Sequence, residues 1–439
     1  MAFTKNQIIV IAAILGLILI VILVFSGIIP GLKPKPEVVR HYEANLEFWG
    51  IFDTPEAYSE AFQNFKNIYP GVTVRYQGFS DPEEYERNIT EALAEGRGPD
   101  IFMIRNSALL NYLNKIASVP NNKFDIYKLK RLFPQIVEQD LSYQENIFAL
   151  PTSIDTLALI YNKDLFNQAG IVYPPTTWED FKEIIPKLAK RESTTKIIKA
   201  AAAIGGSEKT VSRAPDLLSL LMLQTGTEMV GKDLNSAKLS SQEGVNAMEF
   251  YTQFSNAAKE SYTWNDTMPK DLNFFSEEKV AMIFNYESAL PEIKNKNAFL
   301  NIAVAPMPQP KTAKKAITYA NYWGYTVSKQ SKYSDVAWDF IIELTTDEGN
   351  AKNYANATLK TPALLSLINL VANNESNPDA SIFAKQALIA KSWPEIDPMA
   401  VSKIFSQAIS YIITGQKNTI DALEQANNEI AQILKRRSR

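Results

Sequence analysis

From residue 45 onward, short apolar runs alternate with amphipathic stretches of helical period. Residues 46–52 (LEFWGIF) read as an apolar strand and 54–69 (TPEAYSEAFQNFKNIY) as an amphipathic helix. The helix start is well marked: Thr54 can cap it, Pro55 takes the first helical position, where an N–H would lack a partner anyway, and Glu56 lies in the first turn. A second strand follows at 72–79, a second helix at 82–96 and a buried strand at 100–105 (DIFMIR). Strand–helix–strand order at this spacing predicts an open, parallel α/β sheet. Further along, 148–162 contains an apolar strand, and 176–191 is a capped helix with Trp178 and Phe181 on its inner face. Residues 279–287, 300–308 and 322–328 are strand candidates, while 335–346 and 418–436 have clear helical patterns. No solenoid-type repeat and no low-complexity tract interrupts the series.

One segment breaks the alternation. Residues 8–29 (IIVIAAILGLILIVILVFSGII) are apolar without a charge, long enough to span a bilayer core as a helix. A secretory signal has a shorter apolar region and a small-residue cleavage site, neither of which is seen here, so an uncleaved signal anchor is expected, a cleaved signal being its rival. Lys5 precedes the run and Lys33, Lys35 and Arg40 follow it, so charge alone does not orient it. Residues 31–42, rich in Pro and Lys, read as an extended linker.

Composition removes several chemistries. In 439 residues there is no cysteine, which excludes disulfides, Cys-zinc sites and thiol nucleophiles, and a single histidine, His41, which lies in the linker. Histidine-based catalysis and metal sites therefore have no partner in the body, and no cofactor is expected. A net charge of −3 without a basic stripe argues against a nucleic-acid partner. The length predicts more than one core.

Several stretches, in the same order, resemble bacterial extracellular solute-binding protein family 1, which includes maltose- and other sugar-binding proteins. They are LEFWG at 46–50, EGRGPDIF at 95–102, LPTSIDTLALIYNKDLF at 150–166, PPTTWEDF at 174–181, VAMIFN at 280–285, WGYTVSK at 323–329 and LTTDEG at 344–349. The resemblance covers about 46–434. It implies a two-lobed α/β fold of the periplasmic-binding-protein type (type II), here with an N-terminal transmembrane helix at 1–30. Lobe one would comprise 43–152 with 307–355, and lobe two 155–302 with 360–436, with crossings near 152–155, 302–307 and 357–361. It also implies export of the body, a carbohydrate ligand taken up in the cleft by hinge closure, and permease subunits of an ABC transporter as partners. The lipobox cysteine or cleaved signal usual in the family is missing, and the apolar helix would replace it as the membrane anchor.

Ligands of open α/β sheets sit beyond the carboxyl ends of strands, which makes the polar residues just after each apolar run the candidate contacts. They are Asp53 and Thr54 after the first strand, Arg105 and Asn106 after the third, and Tyr286 after 280–285. The resemblance gives Asp53 and Asp155 as acidic ligand contacts, although Asp53 fits equally well as a cap for the next helix. Asn321, Trp323, Trp264 and Trp393 complete the set, because flat apolar faces suit the C–H side of a sugar ring. Two alternatives share these residues. A glycoside hydrolase could draw a carboxylate pair from Asp53, Asp155 and Glu287, though no spacing supports it. A tethered sensor or scavenger would keep the fold without a transporter. No phosphate-binding loop of the GxxxxGK[ST] type occurs, so transport energy would have to come from a partner chain.

Overall fold

In the computed structural model, residues 40–436 are described, together with Lys5, Ile14 and Gly16. The expected anchor thus falls outside the described residues except at Ile14 and Gly16. Among the described residues, no helix is long and apolar enough to cross a membrane.

Of the described residues, 40–44 with Gln63–Thr73 belong to one compact unit, and Asn45–Phe62 with 74–436 to another. In the first, Arg40 donates from Nη1 to the Tyr69 hydroxyl at 2.7 Å and lies over the same ring. Most of the strands fall in two five-stranded sheets.

The first sheet runs, edge to edge, Val72–Phe79, Ala44–Ile51, Ile101–Arg105, Trp323–Ser328 and Ile116–Ala117. Ala44–Ile51 lies parallel to Ile101–Arg105, with Phe48 opposite Ile101. Trp323–Ser328 is antiparallel to the same strand, with Tyr325 opposite Met103. The second sheet runs Ile302–Ala305, Ala158–Asn162, Val280–Asn285, Ile197–Ala202 and Lys190–Arg191. Val280–Asn285 is parallel to Ile197–Ala202 and antiparallel to Ala158–Asn162. Both sheets are therefore mixed where a parallel sheet was expected. The reason is topological: Trp323–Ser328 enters the first sheet from a long excursion through the second, and its direction is set by that return rather than by a right-handed crossover.

Local sequence explains most elements. Val280–Asn285 is buried along its whole length, as a central strand covered on both faces should be, whereas Ala44–Ile51 alternates at its start. Thr177 caps the helix Trp178–Leu188 by accepting from the Asp180 N–H, and Trp178 and Phe181 turn inward against Phe284, with ring centroids 5.7 Å away in each pair. Thr54 behaves differently from its reading as a cap: its side chain makes no capping bond, and Pro55–Tyr58 is a 3₁₀ turn that leads into the helix Ser59–Ile68. Helix Ala214–Thr225 ends at Gly226, whose φ of 88° lets its N–H and that of Thr227 reach back to Leu223 and Met222.

Three passages of chain lie side by side between the sheets. The Ile154 N–H donates to Thr361 O at 3.1 Å and Ala363 N–H to Thr152 O at 2.9 Å; Leu157 N–H donates to Tyr319 O at 2.8 Å and Asn321 N–H to Asp155 O at 3.0 Å. The middle passage, around 318–321, falls later than the expected 302–307, because Gln309 bonds to Thr176 and Trp178 and Ile317 accepts from Gln224, all on the side of the second sheet. A fourth stretch joins them where Thr318–Tyr319 pairs in parallel with Ala390–Lys391.

One ion pair, buried at its carboxylate and half-buried at its ammonium, ties the first sheet to the third passage. The Asp53 carboxylate accepts from the Tyr58 hydroxyl at 2.9 Å and the Tyr354 hydroxyl at 2.7 Å, and pairs with the Lys360 ammonium. Removing one member of a buried pair strands the other charge. Lys360→Met is expected to cost about 3–5 kcal/mol, and Tyr354→Phe, which deletes one hydrogen bond to a charged group, about 1.5–3 kcal/mol. Urea unfolding followed by circular dichroism checks both; a smaller loss for Lys360→Met than for Tyr354→Phe would show that the ion pair is not the dominant contact.

Candidate functional site

The strand ends of the two sheets face one another across a cleft. Phe52 follows the first strand, Arg105 ends the third, Trp323 begins the antiparallel strand beside it, and Tyr286 follows the central strand of the second sheet. With Asp155 and Arg213 they line a cavity of about 290 Å³. A second cavity of about 460 Å³ adjoins it, and Pro82, Arg105, Arg213 and Asn321 line both.

Two guanidinium groups dominate the walls. Arg105 donates from Nε to Glu86 at 2.8 Å, and its guanidinium lies 5.0 Å from the centre of the Trp323 ring. The indole is in turn braced edge-on by Phe52 and Tyr85. Arg213 precedes helix Ala214–Thr225, donates from Nε to Asn285 Oδ1 at 3.1 Å and lies 5.0 Å from the centre of the Tyr286 ring. The Tyr286 hydroxyl donates to Asp216 at 2.9 Å. A cation over an aromatic face contributes about 0.5–2 kcal/mol, more as water is excluded, so each guanidinium is held flat rather than left to swing. Phe52 adopts a φ of 69°, in the left-handed region that a bulky residue occupies only under constraint, and is 53% exposed at the cleft.

Asp155, Asp216 and Glu395 are among the carboxyls in the walls, and Glu287 lies behind them, donating its N–H to Asp155. Asp155 accepts from the N–H groups of Thr156 and Glu287 at 2.9 Å and of Ser288 at 3.1 Å. Glu287 accepts from both the N–H and the hydroxyl of Thr361 at 2.7 Å. Glu395 accepts from Tyr319 at 2.7 Å and Ser107 at 3.0 Å. Burial pushes Glu287 up to about 8, with the Asp155 charge adding to the effect, and pushes Glu395 up to about 7 against the pull of its hydroxyl donors. Asp155 and Asp216 are raised by burial too, against the pull of their hydrogen-bond donors and of Arg213. No cluster of metal-ligating side chains occurs among the described residues. Asp155, Asp216 and Glu395 each accept from protein donors, while the terminal amino groups of the two guanidinium groups remain for a polar solute.

Residues 52–351 match the family described as bacterial extracellular solute-binding protein. This chain belongs to that family. The solute-binding protein is similar to a putative binding protein of Brucella abortus, 22% identical over 398 residues that cover 86% of this chain and 90% of the relative. It is also similar to the galactooligosaccharide-binding protein of Bacillus subtilis, 23% identical over 357 residues, 75% of this chain and 76% of the relative. Its fold matches that of the cyclic α-maltosyl-1,6-maltose binding protein from Arthrobacter globiformis at a TM-score of 0.74 with 16% identity, covering 90% of this chain and 100% of that one.

Of the residues expected from sequence, Arg105, Asp155, Tyr286, Asn321 and Trp323 come together in the solute-binding protein's cleft. Asn106 lines the larger cavity, but its amide is spent on Asp140 and on the Tyr322 N–H. The others lie elsewhere. Asp53 turns into the first sheet's interior to meet Lys360, and Thr54 is exposed on the 3₁₀ turn. Trp264 is fully buried in the second core, donating to Thr210 at 3.1 Å and packing edge-on against Phe274, so it offers no face to a ligand. Trp393 is 4% exposed behind the cavity wall, where it donates to Ser219 and stacks near Phe405. Both indoles satisfy their N–H internally, as buried tryptophans do. Sequence reasoning missed Arg213, Asp216 and Glu395. None directly follows an apolar strand, so the strand-end rule carried no signal for them.

The raised carboxyls link stability to pH. Each binds its proton more tightly in the folded chain than in the unfolded one. The stability of the neutral form is therefore full below the ordinary carboxylate range and lost as pH rises through the folded value. For Glu287 that window runs from 4.5 to about 8. The melting temperature should fall from about pH 5 to about pH 8, and Glu287→Gln, which keeps the acceptor for Thr361 without a titrating proton, should flatten the fall. Thermal melts at constant ionic strength decide it; an unchanged slope in Glu287→Gln would assign the dependence to other groups.

Proposed function

We propose that this solute-binding protein is the substrate-binding component of an ABC importer and takes up a carbohydrate in the cleft by hinge closure, without catalysing a reaction. The observation that carries this reading is the convergence of Arg105, Asp155, Arg213, Tyr286, Asn321 and Trp323 at facing strand ends, in a cavity continuous with a larger one. Such a wall combines hydrogen-bonding groups for hydroxyls with a few flat apolar surfaces. The relatives support the ligand class, since the Bacillus subtilis protein is named for galactooligosaccharides and the Arthrobacter globiformis structure for a cyclic maltosyl sugar.

In this reading lobe one is built on the first sheet and lobe two on the second. The hinge is the set of passages at 152–157, 318–321 and 361–363, which would bend together on closure. The apolar stretch 8–29 would hold the body at the outer face of the membrane, next to the permease subunits.

The test is a thermal-shift screen of the full chain in detergent against oligosaccharides of differing linkage and charge. A true ligand at about 100 times its dissociation constant adds about 2.7 kcal/mol of stability, an unmistakable rise in melting temperature. If no saccharide of either charge raises it, the carbohydrate reading fails; if a bound oligosaccharide is cleaved on incubation, the non-catalytic reading fails.

A further inference from the structure

The two aromatic rings expected to stack on a sugar are already covered. Trp323 carries the Arg105 guanidinium at 5.0 Å and Tyr286 carries that of Arg213 at 5.0 Å, so an incoming ring meets charged planes on those faces instead of bare π surface. The two arginines come from opposite walls yet line the same two cavities, which puts both at the junction where a ligand would sit.

Their hydrogen-bonding capacity is largely uncommitted. Arg213 makes one bond, from Nε to Asn285, and Arg105 one, from Nε to Glu86. Among the described residues, neither pair of terminal amino groups has a recorded acceptor. Of the neighbouring acids, Asp155 is occupied by three backbone N–H groups and Glu395 by Tyr319 and Ser107, while Asp216 accepts from Tyr286. The junction thus offers spare donors in two planar forks, set beside acceptors that are partly occupied. A neutral polyol presents both in equal measure through its hydroxyls, whereas a carboxylate or phosphate presents acceptors alone, in the geometry that a planar fork matches bidentately.

We infer that the solute is an anionic saccharide, whose carboxylate or phosphate group is gripped between Arg105 and Arg213. This rests on the carbohydrate-binding reading above and narrows it.

Titration calorimetry on the full chain in detergent tests it with matched probes: oligosaccharides of galacturonate, glucuronate and mannuronate, each beside its neutral counterpart, then galactose 6-phosphate beside galactose, and inorganic phosphate alone. An acidic sugar should bind at least about tenfold more tightly than its neutral counterpart, with an affinity that falls as salt is raised. Preference for the uronates identifies a carboxylate ligand and preference for galactose 6-phosphate a phosphoryl one; either supports the inference. Arg213→Lys, which keeps the charge but loses the fork, and Arg213→Gln should each weaken the acidic sugar more than the neutral one, with melts of the free variants confirming that they fold. A neutral sugar that binds as tightly as its acidic partner overturns the inference and leaves the carbohydrate reading standing. Inorganic phosphate binding as tightly as the sugar phosphate also overturns it, because the sugar would then contribute nothing. Binding by none of the probes overturns the inference together with the carbohydrate reading.

Discussion

The desolvated carboxyls at the crossing passages are the constraint around which the rest of the molecule is arranged. Asp155 and Glu287 lie close together with little water, and each keeps its place because backbone N–H groups or the Thr361 hydroxyl point at it. Asp155 in the first passage is bound by the 287–288 turn and Glu287 of that turn by Thr361 in the third, so satisfying the carboxyls ties both passages to one turn. Burying a polar group without partners costs several kcal/mol, and that penalty is what fixes the register of the passages. A segment that is hydrogen-bonded along its length yet carries no helix or wide sheet can bend as a unit, which is the property a hinge requires.

The cleft inherits its chemistry from this frame. Tyr286, just after the strand Val280–Asn285, and Trp323, just beyond the middle passage, line the same cavity, and each receives a guanidinium from a neighbouring element. Stacking holds the charges flat, and the bonds from Nε to Asn285 and Glu86 set their rotation. Preorganised donors of this kind bind without first having to be ordered. The Asp53, Tyr354 and Lys360 cluster does the equivalent work behind the first sheet, anchoring the third passage to the first strand.

Much of the fold was legible from residue patterns. The strand at 280–285 is apolar throughout and lies at the centre of its sheet; the helix at 178–188 announces itself with Thr177, Trp178 and Phe181; the alternation in 44–51 matches its one-sided burial. Pattern failed where neighbours far along the chain decide the outcome. Whether a strand joins parallel or antiparallel depends on where the chain has been, and Trp323–Ser328 returns from a long excursion. Trp264 and Trp393 have the composition of ligand platforms, yet Thr210 and Ser219 offer buried partners for their N–H groups, and the cores close over them. Arg213 stands at the start of a helix with nothing local to mark it, and becomes a cleft residue only because Tyr286, 73 positions later, passes beneath it.

By itself, then, the sequence determined the kinds of element, their order, the family, and the absence of thiol and histidine chemistry, because local period and composition act over a few residues and need no partner. It also located the five cleft residues that sit directly at strand ends or at the crossings. Only the tertiary structure decided strand direction, which tryptophans are core, and which guanidinium groups share the cleft. Those outcomes are set by contacts between residues far apart in the chain, where burial and hydrogen-bond satisfaction, rather than residue type, choose the role of each side chain.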